Sequence, residues 1–294
     1  YSYSHWCWRD YAVFLSPDAI NNTGEISCFS VDKMTMTAQK KKIVSNLLND
    51  YHLLSFDSLD STNEEAKRLA RAGGGHGAVI WAKKQTEGKG RLGRNWFSSE
   101  GNLFVSVLLQ PQKPLSELSQ LSFVAAIATL EAIAPLLEDK SALKTKWPND
   151  ILLFERKLGG ILLESFRSDG SHDEPWIVVG LGINVDSYPP RTEFPATCLK
   201  DAGVELVSAK IILSRFIHHF IERYDEWNNK CFTPIRKDWL ANSWNLNKKI
   251  IARLPDGEIE GIFEGIDAKG SLILTLDNGK KQIIHAGDVY AFGN

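Results

Sequence analysis

The chain has 294 residues, 43% of them hydrophobic and 24% charged, with a formal net charge of −2 at pH 7. That length accommodates one large domain plus a smaller one, and the near-neutral balance excludes a whole-molecule pull toward nucleic acid or anionic membrane, leaving anion binding to local clusters. Cys7, Cys28, Cys198 and Cys231 are scattered without CxxC pairing, which fits neither a zinc site nor a disulfide framework and suits a reducing cytoplasm.

Residues 1–31 carry Trp6, Trp8, Asn21-Asn22 and Gly24 without a sustained helix or strand period. Residues 1–38 therefore read as an N-terminal extension outside the catalytic fold. They contain only two basic residues, Arg9 and Lys33, too few to hold DNA phosphates, and no basic segment leads into an apolar run as in a signal peptide. From 40 to 51 the spacing of Ile43, Val44, Leu47 and Leu48 predicts a short amphipathic helix. A strand over 53–59 follows. Asp60-Ser61-Thr62-Asn63 then opens a helix, where Ser61 with Glu64, or Thr62 with Glu65, has capping-box spacing.

Strands are expected at 78–83 and 103–109, then a long apolar helix over 115–137. Ser122, Thr129, Glu131 and Pro135 interrupt that run, so it reads as a buried core helix rather than a membrane span. A strand at 143–147 precedes a hairpin of 151–154 and 158–165, and a buried strand occupies 176–185. A second long helix spans 209–227, with Ile212, Phe216, Phe220 and Tyr224 along one side. The His218–His219 pair on it reads as surface or packing residues rather than metal ligands.

Beyond 245 the chain turns all-β. Strands at 250–254, 259–266, 272–276 and 282–285 alternate with Pro255-Asp256-Gly257 and Asp277-Asn278-Gly279 turns. The fold class expected is α+β: a mixed sheet with flanking helices over 39–244, plus a small SH3-like β-barrel over 245–294.

Three stretches carry chemistry. The first is Gln85-Thr86-Glu87-Gly88-Lys89-Gly90-Arg91-Leu92-Gly93-Arg94-Asn95-Trp96. Its glycines match GxGxxG, but 95–102 reads as a loop running into another strand, so no helix N-terminus is offered to a pyrophosphate and the dinucleotide reading fails. Between 83 and 94 stand five basic residues, Lys83, Lys84, Lys89, Arg91 and Arg94, against Glu87 alone: five minus one is a local charge of +4. Glycines let backbone approach a ligand, and arginine offers forked donors to phosphate or carboxylate. The alternative is a solvated basic loop.

The second stretch is Lys146-Trp147-Pro148-Asn149-Asp150 with Arg156-Lys157-Leu158-Gly159-Gly160. A two-residue turn at Glu155-Arg156 would pair Phe154 with Lys157 and put Asp150, Phe154 and Lys157 on one strand face, with the glycines leaving space beside them. The alternative is an ordinary surface ion pair. The third is Gly180-Leu181-Gly182-Ile183-Asn184 at a buried strand end, where Asn184 binds a ligand or caps its own turn.

From about residue 53 to the C-terminus these pieces, in this order, resemble the biotin–protein ligases (biotin–[acetyl-CoA-carboxylase] ligases) of the monofunctional type, without an N-terminal DNA-binding domain. The resemblance implies a catalytic domain like that of class II synthetases. It implies that biotin is activated with ATP to biotinyl-5′-AMP and transferred to a lysine of a biotin carboxyl carrier protein. Carried over by position, it puts Ser61, Thr62, Asn63, Gln85, Gly88, Lys89, Gly90, Arg91, Lys157 and Gly160 around biotin. Arg94, Trp96, Lys146, Asn149, Asp150 and Asn184 would face ATP. Lys157, Arg91 and Asp150 are the expected catalytic residues, and Mg²⁺ is implied with no ligands assigned. Lys89 departs from the family's usual arginine, keeping the charge but losing the fork. The enzyme would be cytoplasmic, bound neither to DNA nor to membrane, with a homodimer left open. Competing readings are a lipoate or octanoate ligase on a similar fold, a biotin-sensing repressor, and a non-catalytic module built around the terminal barrel.

Overall fold

The computed structural model describes residues 42–46, 51–167, 175–204 and 207–292; the expected extension at 1–38 lies outside them. The centre is an eight-stranded mixed sheet in the order β1-β2-β3-β4-β8-β7-β6-β5. Its strands are β1 (Lys42–Asn46), β2 (His52–Phe56), β3 (Ala78–Ala82), β4 (Leu103–Leu109), β5 (Leu143–Lys146), β6 (Asp150–Leu153), β7 (Arg156–Phe166) and β8 (Trp176–Ile183). Among the described strands of this sheet only β2 and β3 pair in parallel, joined by the crossover helix α1 (Thr62–Arg71).

β4 is buried along its whole length, as a mid-sheet strand covered on both faces must be. Its alternation divides the core. Leu103, Val105, Val107 and Leu109 pack with Val79 beneath the helix pair α2 (Leu121–Ile133) and α3 (Ala209–Lys230). Leu108 joins Ala78, Ile80 and Ala82 under Ala66 and Ala70 of α1. Phe104 and Ser106 share the α1 side by parity.

Every residue of α2 except Glu131 is buried, and the helix is flanked by 3-10 turns at Leu115–Gln120 and Ala134–Leu136. Leu115–Leu136 is long and apolar enough to cross a membrane, yet 72% of its most apolar stretch is buried inside the fold. Glu131 is gripped by Arg223 of α3, so the one charge on this helix is paired.

Two sequence expectations are corrected here. Residues 42–46, read as helical, form β1, an antiparallel edge strand in register Lys42↔Ser55 and Asn46↔His52. The free edge of β2 supplies backbone partners, and β-branched Ile43 and Val44 suit a strand. The hairpin turn falls one residue earlier than expected: Leu153 pairs with Arg156 and Leu152 with Lys157. Phe154 and Glu155 are the turn, both at positive φ (50° and 58°), as a two-residue hairpin of matching twist requires. Phe154 therefore leaves the strand face. Lys157, opposite Leu152, still shares a face with Asp150, because that shift changes the pairing by two residues and preserves parity.

The C-terminal strands β9 (Lys249–Leu254), β10 (Gly257–Ile266), β11 (Leu272–Thr275), β12 (Lys281–Ile284) and β13 (Asp288–Ala291) form an antiparallel sheet in the order β12-β11-β10-β9-β13. This is consistent with the SH3-like expectation, although the sheet is open rather than a closed barrel. β13 and the short α4 (Thr233–Ala241) had no clear sequence signal. The turn before β11 docks on the catalytic domain: Trp147 Nε1 donates to Gly270 O at 3.0 Å and Gln120 Nε2 to Ala268 O at 3.0 Å. That docking brings β13 to the mouth of the site.

Candidate active site

A cavity of about 290 Å³ opens between the N-terminus of α1, the glycine-rich segment, the β6–β7 hairpin and β13. The glycine-rich segment is a tongue. Trp96 N donates to Gly88 O at 2.8 Å and Gly90 N to Arg94 O at 2.7 Å, with a single 3-10 turn at its tip, Arg91–Gly93. Leu92 at the tip sits at φ 56° and is 81% exposed. No α-helix follows, which agrees with the rejection of a dinucleotide fingerprint.

Fifteen of the sixteen residues singled out from the sequence line this one cavity: Ser61, Thr62, Asn63, Gln85, Lys89, Gly90, Arg91, Arg94, Trp96, Lys146, Asn149, Asp150, Lys157, Gly160 and Asn184. Gly88 does not. It lies at the root of the tongue, where an added Cβ would stand 2.2 Å from Ser98 Oγ and 2.8 Å from Trp96 O. Lys83 and Lys84 also lie outside the cavity, Lys83 paired with Asp57, so three of the five local cations serve it.

The closed end is polar. Gln85 Oε1 accepts from Thr62 N at 2.8 Å and from Thr62 Oγ1 at 3.2 Å, while its Nε2 donates to Ser98 Oγ at 3.1 Å. Ser106 Oγ donates to Asn63 Oδ1 at 2.6 Å and lies 2.7 Å from Thr62 Oγ1. Sequence reasoning missed Ser106; its signal is a lone hydroxyl in the apolar strand Leu103–Leu109. The capping box does not form: Ser61 N donates to Asp60 Oδ1 at 2.7 Å and Ser61 makes no side-chain cap. The Ser-Thr-Asn run is spent on the cavity instead.

Glycines shape the floor. At Gly180 a Cβ would meet Asn63 Oδ1 at 2.3 Å, and at Gly182 it would meet Trp96 Nε1 at 2.5 Å. The Gly-Leu-Gly motif thus gives Asn63 and Trp96 their seats. Trp96 also lies against Gly160, with Lys157 Nζ 5.5 Å from its ring centroid.

The open end is ionic. Asp150, 8% exposed, sits 2.6 Å from Lys157 Nζ and 3.1 Å from Lys146 Nζ. Burial by itself would raise its pKa, but the charges of Lys146 and Lys157 outweigh burial and hold it down at about 2. Lys146 lies 4.5 Å from the Phe194 ring centroid. Arg91 Nη1 donates to Asn149 Oδ1 at 3.2 Å and meets Asp288 Oδ1 at 3.4 Å, while Arg94 Nη2 reaches Asp288 Oδ2 at 2.5 Å. Asp288 and Tyr290 come from β13 and Glu193 from a loop; no local pattern marked them. Asn184 Nδ2 donates to Thr197 O at 3.0 Å, tying down the strand end where the cavity floor finishes.

The lining carboxylates Asp150, Asp288 and Glu193 all have cationic partners, the last being Arg253. The described residues lining the cavity therefore do not fit a resident magnesium site. On α3, His218 Nε2 and His219 Nδ1 lie 3.5 and 3.4 Å from the two oxygens of Glu222, which accounts for the clustering of that pair.

A cavity with a hydrogen-bonding closed end, a cationic mouth and a glycine-rich tongue defines the class of ligases that activate a small carboxylic acid. Residues 55–184 match the Biotin/lipoate A/B protein ligase family and residues 246–291 the Biotin protein ligase C terminal domain. The chain is 37% identical over 240 residues to biotin–[acetyl-CoA-carboxylase] ligase of Paracoccus denitrificans, covering 80% of this chain and 98% of that one. It is 34% identical to the bifunctional ligase/repressor BirA of Bacillus subtilis, covering 80% and 73%. Biotin protein ligase from Aquifex aeolicus, solved with biotin and ATP, superposes with a TM-score of 0.69 at 29% identity over 81% of this chain and 97% of that one. The chain belongs to the biotin–protein ligase family.

Proposed function

We infer that this chain is an ATP-dependent biotin–protein ligase that makes biotinyl-5′-AMP and passes the biotinyl group to a lysine of a biotin carboxyl carrier protein. One observation carries the assignment of roles: a single cavity holds paired donors and acceptors at one end and Lys146 and Lys157 at the other. A ureido ring, with both N–H and C=O groups, suits the Ser61–Thr62–Asn63–Gln85 end, and an acyl carboxylate suits the ammonium end. A dithiolane has no N–H or C=O group to use that polar end, which favours biotin over lipoate.

In the first half-reaction the biotin carboxylate oxygen bonds to the α-phosphorus of ATP and pyrophosphate leaves. Two anions must meet, so Lys157 screens the carboxylate while Lys146, Arg91 and Arg94 screen the phosphates. Arg91 and Arg94 must exchange Asp288 for phosphate oxygens as ATP enters. Magnesium is assigned to the nucleotide's own phosphates, as part of the substrate. The tongue excludes water and protects the mixed anhydride. In the second half-reaction a neutral lysine amine attacks the acyl carbon, AMP leaves and one proton is released. A carboxylate held near 2 is a weak base, so Asp150 orients Lys157, Lys146 and the incoming amine rather than taking that proton. The setting is the cytoplasm, with the carrier subunit of a biotin-dependent carboxylase as partner.

The direct test is incubation with biotin, MgATP and a carrier domain, read by intact mass. The carrier gains one biotinyl group; gain only with lipoate would reassign the substrate. Lys157→Ala is expected to lower biotin-dependent pyrophosphate release at least ~100-fold, as loss of one charge-stabilising donor does.

A further inference from the structure

The tongue is tied to the polar end of the cavity through Glu64, Lys67 and Glu164, which the mechanism above does not use. Lys89 Nζ lies 2.8 Å from Glu64 Oε1, and the same oxygen is 3.2 Å from Lys67 Nζ. Lys67 Nζ is in turn 2.7 Å from Glu164 Oε1. The other oxygen of Glu164 accepts from Asn63 Nδ2 at 2.7 Å, and Asn63 Oδ1 accepts from Ser106. The path continues through Thr62, Gln85 and Ser98, whose hydroxyl donates to Trp96 O at 2.9 Å. It leaves the tongue at Lys89 and rejoins it at Trp96.

We propose that Glu64, Lys67 and Glu164 are positioning residues that clamp the tongue at Lys89 and fix which end of the Asn63 amide faces Ser106, so that ligand recognition and tongue closure are set together. This rests on the biotin reading for the identity of the ligand, but the clamp itself does not. An asparagine side chain presents a donor or an acceptor depending on its flip, and only its partners decide. Glu164 is an acceptor-only group on Nδ2, so it forces Oδ1 toward Ser106. Glu164→Gln offers a donor there and removes that constraint. Glu64 is free for Lys89 because Asp60 already satisfies the Ser61 N–H that a capping glutamate would take. The Lys67 and Glu164 side chains are only 13% and 27% exposed, so the relay is a network rather than an isolated exposed pair. Lys89 and Lys67 together hold the Glu64 carboxyl below its ordinary range.

Trypsin reads the clamp directly, because Lys89, Arg91 and Arg94 are cleavage sites within the tongue. In the ligand-free full-length protein, Glu64→Gln and Glu164→Gln are each expected to raise tongue cleavage about three-fold, with cleavage elsewhere unchanged. Glu164→Gln should also raise the KM for biotin while leaving kcat near wild type. Glu64→Lys and Lys89→Glu should each open the tongue, and the double exchange should restore protection at Arg91 and Arg94. Wild-type cleavage rates in Glu164→Gln would overturn the relay, and failure of the double exchange to restore protection would overturn the clamp. If Glu164→Gln is cleaved throughout, Glu164→Asp replaces it: it keeps the charge and must retain tongue protection for the proposal to stand. Failure of the biotin reading shows separately, as a wild-type protein that does not modify the carrier.

Discussion

Asp150 shows how a residue's environment, rather than its type, decides its chemistry. A buried carboxylate usually resists ionisation, but two ammonium groups within 3.1 Å keep this one charged. Because its folded pKa is depressed from 3.8 to about 2, its contribution to stability is complete above about pH 4 and is lost as pH falls through 2. Asp150→Asn strands Lys146, which is 5% exposed, so unfolding free energy should drop by about 3 kcal/mol at pH 7. Denaturant titrations should show the gap between the two proteins closing as pH falls from about 4 toward 2. A gap that stayed constant would mean that Asp150 is not held by these charges. Lys157 was legible in the sequence beside Gly159-Gly160, as was Asp150. Ser106 was not, because a single serine in a strand is as readily a tolerated core hydroxyl until its neighbours are known.

Among the elements, the tongue and the β7–β8 pair are matched to each other. Trp96 closes the tongue over Gly160 and Gly182, and the sheet can accept its ring only where side chains are missing. Gly182→Ala places a methyl 2.5 Å from Trp96 Nε1, so the tongue must lift; overpacking of this kind costs about 1–3 kcal/mol. Pyrophosphate release should fall at least ~10-fold with secondary structure by circular dichroism unchanged, and full activity would show that Trp96 does not need that seat. The hairpin illustrates what strand parity protects. A turn misplaced by one residue still put Lys157 and Asp150 on one face, whereas the helix expected over 40–51 gave way to a strand at 42–46 because its apolar spacing was ambiguous and the decisive partner was the edge of β2.

For the whole molecule, the question is why an all-β appendage sits at the end of a ligase. β13 supplies Asp288 to Arg91 and Arg94, so the C-terminal sheet reaches the tongue that the catalytic domain extends. Its seat is the turn at Gly270, which has φ 86° and would put a Cβ 2.5 Å from Phe123. Gly270→Val should therefore lower the melting temperature by several degrees, about 1–3 kcal/mol of overpacking and strain. It should also lower the KM for ATP by withdrawing Asp288, which competes with phosphate for Arg91 and Arg94, although Gly270 lies away from the cavity lining. An unchanged KM for ATP in a destabilised variant would separate the two domains functionally. Removing residues 1–38 is expected to leave carrier biotinylation within about two-fold, since every described residue of the sheet and the cavity lies beyond them; activity loss beyond about ten-fold would make that segment part of the enzyme.

The sequence by itself determined most of the strand and helix order between residues 53 and 285, the tongue with its glycines and cations, and the two halves of the ionic end, because each is written in neighbouring residues. Turn signals and period decide local conformation. Only the tertiary structure decided that Ser106, Glu164, Asp288 and Tyr290 belong to the same neighbourhood. Those residues come from β4, β7 and β13, and the contacts between strands far apart in sequence depend on register and docking, which no local pattern encodes.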